Sequence, residues 1–430
     1  MTRSERRIRA LAGQLTYLGP AVVALGAMGG LGIAGCSSED PGDTQSAGAG
    51  GGAGSGTTMS SGTGGAGGEN GSGGGGSGSG GAGGGGGGSS AWTSRDSARM
   101  FLSGHSLTDN PLADYGLEIA ASLKKDFNYN QQIGIGSPMR VRTKGGDWNA
   151  PDWPGYSKGK NRDTFDMNVI EELKSPKTLG QGELYDTLVI TERHDILGTI
   201  MWEDTFGFLR HYHDRLIDGN PAGHTLFYHS WLDIDKSAPE AWITHEKNAL
   251  VAWECIASKV NLTLEAEGRA DRVATLPAGA ALVDLVERIL KDEVKGISGS
   301  TSQKLNLIFT DNVHLTQLGA YYIALVTHAA VFRDSPVGAA VPAGVNAEPA
   351  ADFQAIAWNF VSSYYSDPAA GERSMEECRT FTAESTCVSF WNLLGDPQQI
   401  PGCQSNFTNV SSAQNPFRWP DPMLMLWPDP

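Results

Sequence analysis

The chain has 430 residues and a formal charge of −16, but not all of its length can build a core. Residues 48–90 hold 25 of the 57 glycines, mixed with Ala, Ser and Thr, and have almost no apolar side chains whose burial would offset backbone entropy. Some 340 residues remain from Ala91 on, enough for one large α/β domain, alone or with a C-terminal extension. Residues 1–36 carry four arginines against one glutamate, so the rest carries −19. That acidic balance argues against non-specific nucleic-acid binding and against electrostatic adhesion to anionic lipid.

The N-terminus reads as an export signal. Residues 2–9 are basic, residues 10–34 are mostly small and apolar, and Ile33-Ala34-Gly35-Cys36 follows. This tetrapeptide resembles the bacterial lipobox, in which the Cys thiol accepts the lipid and becomes the mature N-terminus. A plain secretory signal is the competing reading. A transmembrane helix fits less well, because the segment is Gly-rich and runs straight into the low-complexity tract. Residues 37–90 then read as a disordered tether with a root-mean-square span of about 35 Å. The expected location is the bacterial cell envelope, lipid-anchored at Cys36 and facing the surface or the periplasm. The remaining cysteines are Cys255, Cys378, Cys387 and Cys403, an even number in an exported chain. Cys378 and Cys387 would close a short loop and are the expected disulfide, leaving Cys255 with Cys403. No pair has the spacing of a metal-binding CxxC motif.

From Ala91 onward, apolar runs of strand length alternate with helical patterns. Strands are expected at 99–103, 131–135, 186–191, 224–229 and 272–276. Helices are expected at 110–126, 198–217, from Pro239 to about Val260, at 279–293, 315–332 and 352–365. The alternation predicts βαβ units and a parallel sheet covered on both faces. Active sites in such sheets lie at the carboxyl ends of the strands. Residues 336–430 break the pattern and read as a cysteine-containing extension packed on a main domain of residues 91–335.

The first predicted strand ends in Ser103-Gly104-His105-Ser106-Leu107. A serine there, ahead of a helix, sits at the sheet's carboxyl edge, near N–H donors that suit an oxyanion. Glycine at 104 permits a tight turn. Alone, the signal is weak, and the segment also looks like an ordinary turn and helix start. Asp311-Asn312-Val313-His314 precedes the helix at 315–332. An Asp three residues before a His in a loop can reach the imidazole Nδ1–H, leaving Nε2 free to take a proton from serine. Asp311 acting only as a helix cap is the alternative.

Together, Gly104-x-Ser106-Leu107 and Asp311-x-x-His314 resemble the SGNH (GDSL-type) hydrolase family over about residues 95–335, best in the segment DNVHLTQLGAYY. The resemblance implies a three-layer α/β/α flavodoxin-like domain that hydrolyses esters, including acetyl groups on carbohydrates and acyl lipids, with no cofactor and no metal. It implies Ser106 as nucleophile, His314 as base and Asp311 as the group orienting it. The oxyanion hole it implies combines the Ser106 N–H, a glycine N–H that maps best to Gly136 with Gly134 next, and an Asn side chain. Where Gly-x-Asn-Asp is expected, after the strand ending at Thr191, this chain has Glu192-Arg193-His194-Asp195. His194 stands at the Asn position and has a ring N–H to donate, whereas Glu192 donates only when protonated. His105 replaces the family's Asp before the serine.

His211-x-His213 falls in a helical pattern, where residues i and i+2 point about 200° apart and cannot share one ion. Residues 139–160 read as a long loop over the carboxyl edge, whose Trp148, Trp153 and Tyr156 would either stack on a sugar ring or pin the loop to the core. Trp202, Trp231, Trp242 and Trp253 are expected in the core. The function expected is a tethered serine esterase, with acetylated polysaccharide as the preferred partner. A non-catalytic envelope lipoprotein on the same fold is the alternative.

Overall fold

A computed structural model describes residues 93–146, 155, 159–160, 166–368 and 370–421. Cys36, the Gly/Ser tract and the aromatic residues Trp148, Trp153 and Tyr156 lie outside the described residues. Five parallel strands form one sheet: β1 Ser97–Gly104, β2 Asp126–Ile133, β3 Thr187–Thr191, β4 His224–Tyr228 and β5 Val273–Leu276. Their spatial order is β2-β1-β3-β4-β5, and every neighbouring pair is parallel. This is the doubly wound order in which the chain reverses direction between β1 and β3.

Alternation along each strand builds two cores. Met100, Leu102, Val189, Leu226, Tyr228 and Leu276 belong to one buried cluster, with the helices Leu112–Ser122, Ala278–Leu290 and Gln317–Phe332. Phe101, Leu188, Ile190, Phe227 and Val273 belong to the other, with Ile196–Trp202, Thr205–Gly219 and Glu240–Ala266. Successive strand side chains point to opposite faces, so a run of consecutive apolar residues needs cover on both. The molecule is therefore α/β, a parallel sheet between helical layers. Among the described residues no helix is long and apolar enough to cross a membrane.

Three expected elements differ. The helix expected at 198–217 is two, Ile196–Trp202 and Thr205–Gly219, separated at Asp204, whose φ is +50°. β2 starts at Asp126, five residues before the expected strand; its polar sequence DFNYNQQI carries no apolar run that would mark residues 126–130 as strand. Residues 139–144 are a short helix rather than the start of a loop, with Met139, Val141, Arg142 and Thr143 buried. Trp231, Trp242 and Trp253 are core residues, but Trp202 closes its helix 44 % exposed.

Residues beyond 336 contribute to both clusters. The helix Ala350–Ser366 packs on Gln317–Phe332, with Phe353 edge-on to Tyr322 at 5.4 Å and the Gln354 amide donating to the Tyr321 hydroxyl at 2.8 Å. Met375, Cys378, Phe390, Phe407 and Phe417 then join the opposite cluster. The disulfides are Cys255–Cys378 and Cys387–Cys403, not Cys378–Cys387. Cys378 and Cys387 lie on one uninterrupted helical run from Met375 to Leu393. Nine residues of helix separate their Cα atoms by about 13 Å, far beyond the reach of a disulfide. Cys255–Cys378 instead ties the C-terminal segment to the helix Glu240–Ala266.

One buried group carries a pH-dependent cost. His328 is 3 % exposed beside an apolar cavity lined by Met100, Leu102, Phe127 and Val331, and neither ring nitrogen has a partner among the described residues. Burial pushes its pKa down from 6.5 to about 4. Above pH 6.5 both folded and unfolded chains are neutral here, and stability is complete. As pH falls from 6.5 towards 4, the unfolded chain takes up a proton that the fold refuses, and about 3 kcal/mol is lost. His328→Leu is expected to remove that much of the slope between pH 7.5 and 4, read from urea midpoints. An unchanged slope would refute the assignment.

Candidate active site

β1 ends at Gly104, and a closed turn follows. The Thr108 N–H donates to the His105 carbonyl at 2.9 Å, and the Thr108 hydroxyl both donates to that carbonyl and accepts from the His105 N–H. A Cβ on Gly104 would lie 1.8 Å from the Thr108 hydroxyl oxygen, so only glycine fits. The turn leaves Ser106 half-buried at the sheet's carboxyl edge, at the β1/β3 reversal. The first helix begins only at Leu112, so Ser106 lies in the turn and not at a helix terminus.

The second segment is a tight loop. Phe309 pairs with Leu315, the Thr310 N–H donates to the His314 carbonyl at 2.8 Å, and the Thr316 N–H donates to Ile308. Asp311 does two things in it. Its Oδ1 accepts the N–H groups of Val313 and His314 at 2.8 and 2.7 Å, and its Oδ2 lies 2.7 Å from His314 Nδ1. The helix that follows is capped by Thr316 instead. Burial pushes the Asp311 pKa upward, but the hydrogen bonds from the His314 and Val313 N–H groups and from the imidazole outweigh it and hold the pKa at about 2.

The segment after β4 fixes this loop from outside. The Trp231 indole N–H donates to the Val313 carbonyl at 2.9 Å, and the Ile234 N–H donates to the Asn312 carbonyl at 2.8 Å. That segment is held in turn by Glu246, fully buried, which accepts the Leu232 N–H at 2.8 Å.

His314 Nε2 lies 3.0 Å from Ser106 Oγ across 208 positions of sequence. The structure thus brings Asp311, His314 and Ser106 into one hydrogen-bonded chain. With a carboxylate on Nδ1, the imidazole carries its proton there and presents a bare Nε2 to the hydroxyl. This is the arrangement that lets a serine lose its proton as it attacks.

The groups proposed around an oxyanion are distributed as follows. The Gly134 N–H is spent on the Gly104 carbonyl at 2.9 Å. Gly136 has a φ of +67° and is half-buried, and its N–H and that of Ser106 make no hydrogen bond among the described residues. Gly136 is therefore the better donor of the two glycines. The His194 ring is 6.1 Å from that of His105, centroid to centroid, and makes no hydrogen bond among the described residues. Burial lowers its pKa, so it is a neutral imidazole with one N–H to donate. Glu192 is not a donor in this arrangement, because both carboxylate oxygens accept. His105 is buried, and burial holds it neutral. Its Nδ1 accepts the Leu107 N–H and its Nε2–H donates to the Glu192 carbonyl at 3.0 Å.

Sequence reasoning missed the polar layer beneath these loops. Arg142, fully buried, donates from Nε to the Ser103 hydroxyl at 3.1 Å, from one terminal nitrogen to the Ser137 carbonyl at 2.7 Å, and from the other to the Thr191 carbonyl. Gln132 accepts the Ser103 and Tyr212 hydroxyls and donates to the Arg142 carbonyl. One signal was available. Ser103, Gln132 and Thr191 put polar residues at the carboxyl ends of three adjacent strands, in otherwise buried positions. The second histidine of His211-x-His213 is engaged away from this site, between the Thr225 hydroxyl at 2.9 Å and Asp271 at 2.6 Å.

No family model matches this chain, and no curated protein does. Among solved structures, the chain is similar to a DUF4886 family protein from Bacteroides uniformis, at 13 % identity over 62 % of this chain and 95 % of that one, with a TM-score of 0.41.

Proposed function

We propose that the protein is a serine ester hydrolase of the SGNH type that works through an acyl-enzyme on Ser106. The observation that supports this most is the Asp311–His314–Ser106 chain, with separations of 2.7 and 3.0 Å. In this reading, Ser106 Oγ attacks the ester carbonyl while its proton passes to His314 Nε2. The N–H groups of Ser106 and Gly136 receive the oxyanion, with His194 as a third donor in place of Asn. His314 then protonates the departing alcohol. Water repeats the sequence on the acyl group and frees Ser106. Acetylated carbohydrate is the substrate class we propose, from the family resemblance and the exported location that the N-terminus implies. The domain would be held at the cell envelope by lipid on Cys36.

The full chain should hydrolyse p-nitrophenyl acetate and take up a fluorophosphonate probe, and Ser106→Ala should do neither. The active chain should fractionate with membranes, and Cys36→Ser should release it. Turnover no greater than that of Ser106→Ala, with no probe uptake, would reject the enzyme and favour a binding lipoprotein. The replacement of the family's Asn donor favours that second reading, since one oxyanion donor contributes about 10²–10³ in rate.

A further inference from the structure

We propose that Glu192 is a positioning residue that clamps the Gly136 loop against the turn bearing Ser106. The proposal rests on the ester hydrolase reading and deepens it.

Glu192 immediately follows β3 and is fully buried. It stands where the resembled family carries glycine, which has no side chain with which to hold a neighbouring segment. Its backbone and side chain reach in two directions. The backbone carbonyl accepts His105 Nε2–H at 3.0 Å, which grips the residue before Ser106. Carboxylate Oε1 accepts the Met139 N–H at 3.0 Å and the Arg193 N–H at 2.8 Å, and Oε2 accepts the Thr205 hydroxyl at 3.0 Å. One residue therefore ties together the segments carrying Ser106, Gly136 and His194.

The Met139 contact decides the geometry of the Gly136 loop. Met139 opens a helix whose N-cap is Pro138, which has no side-chain acceptor for the helix's free N–H groups. Glu192 supplies that acceptor from another part of the chain. Gly134 is fixed to Gly104 at 2.9 Å and Met139 to Glu192 at 3.0 Å, so residues 135–138 are clamped at both ends. Arg142 holds the Ser137 carbonyl between them at 2.7 Å. An N–H held in place before the reaction needs no reorganisation when charge develops.

The clamp depends on an acceptor and not on a charge. Burial pushes the Glu192 pKa up to about 7, against Arg142 and the backbone donors. A protonated carboxyl keeps all three contacts, because Oε1 still accepts both N–H groups and Oε2–H turns to donate to Thr205. A glutamine does the same through its amide.

The test compares Glu192→Gln and Glu192→Ala in the full chain, with rates per active site counted by fluorophosphonate titration. Glu192→Gln should keep kcat within about threefold. Glu192→Ala should lose about 10²-fold in kcat with KM little changed, and a phosphonate transition-state analogue should weaken in the same proportion. A merely structural role would lower the number of titratable sites and leave the rate of each intact. That result would overturn the proposal, as would equal losses in both variants. Turnover and probe uptake absent from the unmodified chain would overturn the hydrolase reading itself, and the clamp with it.

Discussion

Removing the imidazole at His314 is expected to lower kcat for p-nitrophenyl acetate by about 10⁵–10⁶, with KM nearly unchanged. Loss of the base in a Ser-His-Asp unit costs on the order of 10⁶, because the hydroxyl must then attack without a proton acceptor. Asp311→Asn should cost less, about 10⁴ at most. The carboxylate fixes the tautomer by its 2.7 Å contact with Nδ1, but its side chain is 55 % exposed, so solvent screens part of its charge. The Oδ1 contacts to the Val313 and His314 N–H groups survive in asparagine, so the loop should keep its shape. The three residues act as a unit. Ser106→Ala with His314→Ala should therefore be no slower than either alone. Multiplying losses in the double variant, or a His314→Ala enzyme within about tenfold of the parent, would mean that the base lies elsewhere.

Arg142→Ala is expected to destabilise the folded chain by about 3–5 kcal/mol, measured by urea denaturation. Truncation strands three acceptors at once: the Ser103 hydroxyl, the Ser137 carbonyl and the Thr191 carbonyl. Each unmet buried group costs about 1–3 kcal/mol, and the lost side chain also leaves a void. Burial disfavours the guanidinium's charge, opposed by Tyr212 and Glu192, so part of the loss is returned when the charge goes. Lysine should not rescue the variant, because one ammonium cannot span acceptors on three segments as the planar fork does. A change below about 1 kcal/mol would show that these contacts are replaceable. Activity should fall with stability, since the same contacts hold the Gly134–Pro138 loop.

The sequence alone determined the class of fold. Short apolar runs such as those within 99–103 and 186–191 bury side chains on both faces, and their alternation with helical patterns points to a covered parallel sheet. Helical spacing between them supplied the cover. The sequence also marked out Asp311 and His314 as partners, because three residues of loop are enough to bring a carboxylate to its own imidazole. Gly104 could be read as a tight turn, and the Thr108 hydroxyl explains why no side chain fits there.

Tertiary structure decided what depends on contacts between distant segments. The first half of β2 is invisible to local periodicity, because this polar edge strand satisfies Asn130 and Gln132 with side chains from Thr178 and Ser103. The disulfide pairing came from a helical run that holds Cys378 and Cys387 apart and turns each towards a different segment. Nothing in the local sequence around Arg142, in an expected loop, or Glu192, after a strand, marks either as buried. Burial makes them structural, since a buried cation and a buried carboxyl are tolerated only where fixed partners surround them. The 3.0 Å contact between Ser106 and His314 belongs to the same category, because its two halves meet only when β1 and the loop after β5 reach the same edge of the sheet.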